Sequence, residues 1–393
     1  MGFGGGAPKS LLEYARSMQA KGHSVTAIGQ YTFMPSYYHK YNIETRDIDY
    51  FVLKKPIKNI VIIFKNIKIF KKINPDIIHV TTLGQSLYQK ISSKLLNSPT
   101  VYMIPGGSAS GKSNKVLHKI LDSTDKIIVY TSENIKQLKD SGFRDQQLIL
   151  IPNRFSFNDI SNHSQGYAHR SKQVLKMLLI SRISNGKENS IHTVINFVHS
   201  IKNLGYDVRL DIIGNGTEEI VADIENKIKQ VNNQYSNDVV YYHGYQDNVD
   251  KWIEAADICF GKGRSVIDPV SVGKISYVVN ENDNIIPINK TTIQKHLDYN
   301  FAGRNFEHGS DVSNIRQVVE SIIQNQVNTQ ELDELRDFVI KNYDINEVAD
   351  YIEDIYNEVI HQHMDKNIII RIIGSFYLYF KIYFLLVFFK LRG

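Results

Sequence analysis

Residues 174–189 read Val-Leu-Lys-Met-Leu-Leu-Ile-Ser-Arg-Ile-Ser-Asn-Gly-Lys-Glu-Asn. The run Val174–Ile180 has the length and near-continuous apolarity of a strand covered on both faces, as in a parallel sheet. A helix is expected over Ser190–Leu204. The intervening turn therefore lies at a sheet's carboxyl edge and opens onto a helix N-terminus. Arg182 and Lys187 stand in that turn, two fixed cations suited to neutralising a diphosphate.

The alternation continues outward in both directions. Downstream, strands are expected at Val208–Ile213, Val239–Tyr242, Ile258–Phe260 and Ser276–Val279, with helices at Thr217–Val231 and Val249–Ala255. Upstream, strands are expected at Ser24–Ile28, Ile77–Val80, Val101–Ile104, Lys126–Tyr130 and Leu148–Ile151. Helices are expected at Pro8–Lys21, Ile60–Ile73, Gln85–Leu96, Lys115–Leu121 and Glu133–Ser141. Asn158–Gln173, rich in Ser, Asn, His and Gln, reads as a linker. The pattern predicts an α/β chain of two Rossmann-like, doubly wound domains, 1–160 and 171–340, facing a cleft.

The whole chain has 393 residues, 46 Lys+Arg and 41 Asp+Glu, a net charge of +5. Residues 1–166 hold 22 basic and 11 acidic residues, net +11, and the remainder is net −6, so the first half suits an anionic partner. Ample aromatics and ordinary charge content exclude a wholly disordered chain. The single cysteine, Cys259, excludes an intrachain disulfide and a multi-Cys zinc site, and reads as packing in a buried strand. Lys58, Lys65, Lys68 and Lys72 fall on one helical face, with Val61, Ile62, Phe64, Ile69 and Ile73 expected on the other. Such a helix suits an anionic membrane, against the plainer reading of a solvated lysine face. No zinc finger, RNP-like aromatic set or basic zipper supports nucleic acid.

Met1–Gly6 is a glycine loop rather than a signal peptide, and the strand that normally precedes such a loop is missing, so a start upstream of Met1 is expected. At the other end, 365–393 forms a hydrophobic tail in which Ile368–Phe389 is almost entirely aliphatic and aromatic. With Lys381 near its middle, it reads as a membrane-attaching helix, interfacial rather than spanning.

Further motifs follow strands. Leu210–Gly216 is a strand leading into Gly214-Asn215-Gly216, a turn suited to phosphate or ribose. His243-Gly244-Tyr245 follows the next strand. Gly261-Lys262-Gly263-Arg264 leads into a short helix that carries Asp268. Gly106–Ser113 fits Gly-x4-Gly-Lys-Ser between an expected strand and helix, the context of a nucleotide-binding P-loop. No Walker-B acid accompanies it, and a loop lying over the cleft, with Gly107 and Ser108 on acceptor phosphate, explains it better. His361-Gln362-His363 reads as solvated, and no Asp-x-Asp or His-Glu-x-x-His suggests a metal.

Together these motifs resemble the retaining GT-B glycosyltransferases of the family 4 (group 1) type over nearly the whole chain. Gly5-Gly6-Ala7 and Lys21-Gly22-His23 resemble the family's opening loop and Gly-His turn, Pro75–His79 its Pro-Asp-apolar-apolar-His strand, and Ile151–Asn153 its segment before the linker. Tyr343–Tyr356 resembles the C-terminal helix (341–364) that returns to brace the first domain. The resemblance implies transfer of a sugar, with retention and without metal or other cofactor, from a nucleotide-diphosphate sugar such as a UDP-sugar. It implies Arg182 and Lys187 on the departing diphosphate, and donor binding at Gly214, Asn215, Gly216, Tyr245, Gly263, Arg264 and Asp268. Gly5, Gly6, Gly107 and Ser108 are expected on the acceptor side. The expected acceptor is a polyprenyl-pyrophosphate-linked glycan of surface polysaccharide assembly, at the cytoplasmic membrane face. Two features depart from the family. The first of its two signature Glu falls at Phe260 and the second at Asp268, and Pro105-Gly106-Gly107 replaces its acceptor-side His. These departures keep open a non-catalytic glycosyltransferase-like subunit.

Overall fold

The computed structural model describes residues 6–29, 35–48, 56–81, 90–91, 93–104, 111–121, 126–157, 174–184, 186–280, 282, 284–307, 312–363 and 368–391. The chain divides into two compact units, Met1–Ser156 with Tyr343–Gly393, and Phe157–Asn342.

The first unit begins with α1 (Gly6–Ala20), β1 (Thr26–Gly29), α2 (Pro35–Lys40), β2 (Glu44–Asp47) and α3 (Pro56–Ile73). It continues through β3 (Ile78–Val80), β4 (Thr100–Ile104), α4 (Gly111–Ile120), β5 (Lys126–Val129), α5 (Ser132–Lys139) and β6 (Leu148–Leu150). β3, β4, β5 and β6 form a parallel sheet in that order, while β1 and β2 pair as a separate parallel ribbon. β2 escapes sequence reading because Glu-Thr-Arg-Asp carries no apolar alternation.

The second unit contains β7 (Leu175–Ile180), α6 (Glu188–Asn203), β8 (Val208–Ile213), α7 (Glu218–Asn232), β9 (Val240–Tyr242) and α8 (Asp250–Ala255). Then come β10 (Ile258–Gly261), α9 (Arg264–Ser271), β11 (Ile275–Val279), β12 (Ile285–Pro287), α10 (Ile293–Asp298), α11 (Val312–Ile323) and α12 (Thr329–Tyr343). Its sheet runs β12-β11-β10-β7-β8-β9, all parallel except β12. The chain winds outward from β7 through β8 and β9, then returns to β10 on the other side. This doubly wound order makes the boundary between β7 and β10 the topological switch point.

The chain returns to the first unit through α13 (Ala349–Gln362) and ends in α14 (Ile368–Leu391). Alternation along β4 divides that unit's core. Val101 and Met103 face α1 and α13, whereas Tyr102 and Ile104 face the layer holding α3, α4, α5 and α14. Ile352, Ile355 and Val359 of α13 are buried, each contributing roughly 1.5–3 kcal/mol by area. The exposed pairs of Lys21 with Asp350 and Glu353 add little beside this burial. Entry and exit segments run side by side: Phe155 N donates to Tyr343 O (2.9 Å), Ile345 N donates to Phe155 O (2.8 Å), and the Phe155 and Tyr343 rings stack.

His79 of β3 is partly buried, packs edge-on against Tyr14 and shares a 2.6 Å hydrogen bond between its Nδ1 and the Tyr356 hydroxyl. The Pro-Asp-Ile-Ile-His strand thus ties α13 to the sheet. Burial lowers the His79 pKa from 6.5 to about 4. Burial also lowers that of His296 to about 4, offset in part by its hydrogen bond to Pro287 O. Both are neutral when folded, so below pH 6.5 the unfolded chain binds more protons and stability falls with pH until about 4. From pH 7 to pH 5 each should cost about 2 kcal/mol. Denaturant titrations of the wild type and His79→Gln at both pH values measure this; an equal loss in both proteins would refute the role of His79.

Candidate active site

Three strand-to-helix turns meet at the carboxyl edge of the second sheet. The β7–α6 turn carries Arg182 and Lys187, the β8–α7 turn carries Gly214-Asn215-Gly216, and the β10–α9 turn carries Gly261-Lys262-Gly263. At the switch point, Ser181, Arg182, Lys187, Ser190, Gly261, Lys262 and Ser265 line one pocket, floored by Leu179, Ile180, Ile191 and Val279. Lys187 is also the N-cap of α6, so the helix's positive end faces the same region. The arrangement suits an anion, and its cations come from turns far apart in sequence.

The glycines of the β8–α7 turn have a specific task. A Cβ on Gly214 would lie 1.7 Å from Ser181 O, and one on Gly216 would lie 2.3 Å from Ile183 O. Gly214 also has φ +148°. The two turns therefore run backbone against backbone: Ser181 N donates to Ile213 O (3.1 Å) and Ile183 N to Asn215 O (2.8 Å). Gly214 N in turn donates to Gly244 O (2.8 Å), and the Tyr242 hydroxyl donates to Gly214 O (3.0 Å). Arg182 sits between the two residues this contact holds. Gly214, Asn215, Gly216 and Tyr245 are not among the pocket's lining residues. The Gly-x-Gly makes close contact with the neighbouring turn.

Arg264 and Asp268 lie one turn apart on α9 and pair with each other, Nε to Oδ2 at 3.0 Å, both partly exposed. Gly263 is the α9 N-cap at φ 57°, ψ −127°, a conformation reserved for glycine. Phe260 is fully buried against Tyr277 and Phe197, with ring centroids 5.6 and 5.9 Å away. The first signature acid's position therefore belongs to the core, where an ionised carboxylate would be costly. Cys259 is buried with its thiol pushed up to about 12 by burial, as packing requires.

Two lysines escaped the sequence reading as functional side chains. Lys262 lines the pocket and contacts Ser190 Oγ at 3.3 Å. Lys274 is buried and donates to Glu254 O and Ala256 O, both at 2.9 Å, closing the end of α8. Lys262 stands between two glycines of a turn already singled out, which was the available signal. Lys274 has no local signal, since its partners lie 18 and 20 residues away.

In the first unit, Gly6 opens α1, while Gly5, Gly107 and Ser108 lie outside the described residues. Lys58, Lys65, Lys68 and Lys72 are exposed along α3. The expected separation of faces needs correction. Val61 (51% exposed) and Phe64 (57%) stand among the lysines, while Ile62, Ile63, Ile67 and Phe70 turn inward. At 100° per residue, position 61 falls within the arc of these four lysines, and position 64 falls between Lys68 and the equally exposed Lys71. Among the described residues, no group of three His, Cys, Asp or Glu could hold a metal ion, and no helix is long and apolar enough to cross a membrane.

Residues 4–154 match the model for Glycosyltransferase Family 4. No curated protein matches the sequence. Among solved structures, a glycosyltransferase from Rickettsia africae superposes with a TM-score of 0.69 at 14% identity, over 91% of this chain and 96% of that one. HepE from Anabaena, crystallised with UDP and glucose, gives 0.67 at 14% identity over 91% and 97%. Sucrose-phosphate synthase from Thermosynechococcus elongatus gives 0.64 at 13% identity over 88% and 92%. The chain has the GT-B fold. The fold, and the family match over residues 4–154, agree with the resemblance drawn from the motifs.

The Gly214 contact makes a stability prediction. Gly214→Ala must separate the two turns and should cost roughly 2 kcal/mol or more. Gly29→Ala meets nothing within 4 Å and should stay within about 0.5 kcal/mol. Chemical denaturation of both variants compares them, and equal stabilities would refute the contact.

Proposed function

From a GT-B fold and a family 4 match in its first unit, we propose that this protein transfers a sugar from a nucleotide-diphosphate sugar, a UDP-sugar by preference, with retention of configuration. The observation that carries the reading is the convergence of Arg182 and Lys187 on one pocket at the switch point of the second unit. As the bond between sugar and diphosphate breaks, negative charge grows on the leaving diphosphate. Fixed cations placed there stabilise that charge without reorganisation, which is the largest contribution such a site can make. The reaction then needs no metal. Asp268, oriented by Arg264, accepts hydrogen bonds from the ribose hydroxyls. HepE, whose crystal structures include complexes with UDP and UDP-glucose, supports the choice of donor.

Arg182→Ala and Lys187→Ala should each lower turnover about 10²–10³-fold while leaving the melting temperature within a few degrees. Arg182 is exposed, and its guanidinium makes no hydrogen bond or ion pair among the described residues, so its removal should spare the fold. Unchanged turnover in both variants would sink the proposal. Phe260 favours a second reading, a non-catalytic subunit. Nucleotide binding without transfer to any lipid-linked glycan would select it.

The proposed acceptor is a glycan carried on polyprenyl pyrophosphate, in surface polysaccharide assembly, at the cytoplasmic face of an anionic membrane. The support lies in the first unit. α14 docks through Ser375, Leu378 and Tyr379, while Ile369, Ile370, Ile372, Ile373, Phe376, Tyr377 and Phe380 remain exposed. A helix fixed in this way suits an in-plane, interfacial attachment. In flotation with phosphatidylcholine–phosphatidylglycerol vesicles, Ile373→Asp with Phe376→Asp should weaken binding at least about tenfold. Replacing Lys58, Lys65, Lys68 and Lys72 by Gln should cost about 1 kcal/mol each on anionic vesicles only. Equal recovery of wild type and variants would overturn the attachment.

A further inference from the structure

Lys262 occupies the same pocket as Arg182 and Lys187, and three features of the fold put it there. Gly261 precedes it as the last residue of β10, where an added Cβ would come 2.6 Å from Ser265 Cβ and 3.1 Å from Ile180 O. Gly263 follows at φ 57°, ψ −127°, with its N–H bonded to Phe301 O at 2.9 Å. The backbone on both sides of Lys262 is thus set, at Gly261 by a contact that leaves no room for a Cβ and at Gly263 by dihedrals that only glycine adopts readily. The lysine itself reaches toward the start of α6, where Nζ donates to Ser190 Oγ at 3.3 Å. Ser190 is buried and spends its own proton on Asn280 O at 2.9 Å, so its oxygen is oriented as an acceptor. A solvated surface lysine would have neither a fixed backbone nor an oriented buried hydroxyl beside it.

We propose that Lys262 is a third pyrophosphate-binding cation of this pocket, acting with Arg182 and Lys187. The assignment rests on the reading that the pocket receives the donor's diphosphate. A pyrophosphate group carries at least two negative charges on oxygens spread over two phosphorus centres, so cations from separate turns can engage different oxygens. Arg182 and Lys187 approach from the β7–α6 turn and Lys262 from the β10–α9 turn, on the two sides of the switch point. A lysine serves here as a compact point charge on a flexible stem. Its Nζ can pass from Ser190 Oγ to a phosphate oxygen by side-chain rotation, with no backbone movement.

The test is calorimetric titration of the full chain with inorganic pyrophosphate, UDP and uridine. Lys262→Met should weaken pyrophosphate and UDP about tenfold and leave uridine within about twofold, while Lys262→Arg should recover most of the loss. Three results would overturn the assignment: wild-type protein that binds no pyrophosphate, pyrophosphate affinity unchanged in Lys262→Met, or equal losses for uridine and UDP with a lowered melting temperature, which is what a structural role gives. Wild-type protein that binds pyrophosphate through Lys262 but no nucleoside diphosphate would leave the assignment standing and remove the nucleotide-sugar reading instead.

Discussion

The backbone contact between Gly214–Gly216 and Ser181–Ile183 is the constraint on which the second unit's site depends. Two parallel strands normally diverge where their turns leave the sheet. Here the turns stay paired beyond the last strand residues, with Ile183 bridged to Gly216, because neither glycine has a Cβ to push the neighbour away. That pairing fixes where the β7–α6 turn travels and so where Arg182 stands. The binding chemistry is supplied by side chains of one turn, and the room for it by missing side chains of another.

The opposite side of the switch point repeats this logic. Gly261 gives up a side chain so that β10 can meet α9 closely, Gly263 takes a backbone conformation suited to glycine while its N–H bonds to Phe301 O, and Lys262 is presented between them. Phe260, one residue earlier, points into the core against Tyr277. Alternation along a strand makes these outcomes inseparable. A residue that fills the core at 260 places 262 on the same side, beyond the end of the sheet, where the start of α6 lies.

The first unit is organised around different interactions. Its sheet is sealed on one side by α1 and α13, with His79 and Tyr356 joined at the border of that layer, and on the other by α3, α4, α5 and α14. A neutral buried histidine is a stable choice near neutral pH, because desolvation penalises only its charged form. The outer surface carries exposed lysines on α3, with Val61 and Phe64 among them, and the unpartnered apolar face of α14. Basic and apolar exposure on one compact unit matches its surplus of positive charge in the sequence.

Much of this was legible in the chain itself. Hydrophobic runs such as Val174–Ile180 and Val208–Ile213 determined the parallel strands, because a strand covered on both faces is mostly apolar. The spacing of Arg182 and Lys187 behind such a strand identified a cationic turn. The charged strand β2 and the short antiparallel β12 left no comparable signal. Contacts between distant residues decided the remainder. Only the tertiary structure shows that Gly214 and Gly216 serve the neighbouring turn, that Val61 and Phe64 face outward, and that Lys262 joins the pocket. Each of these depends on what lies across a gap of many residues, and local sequence encodes the shape a segment prefers but not the surface it meets.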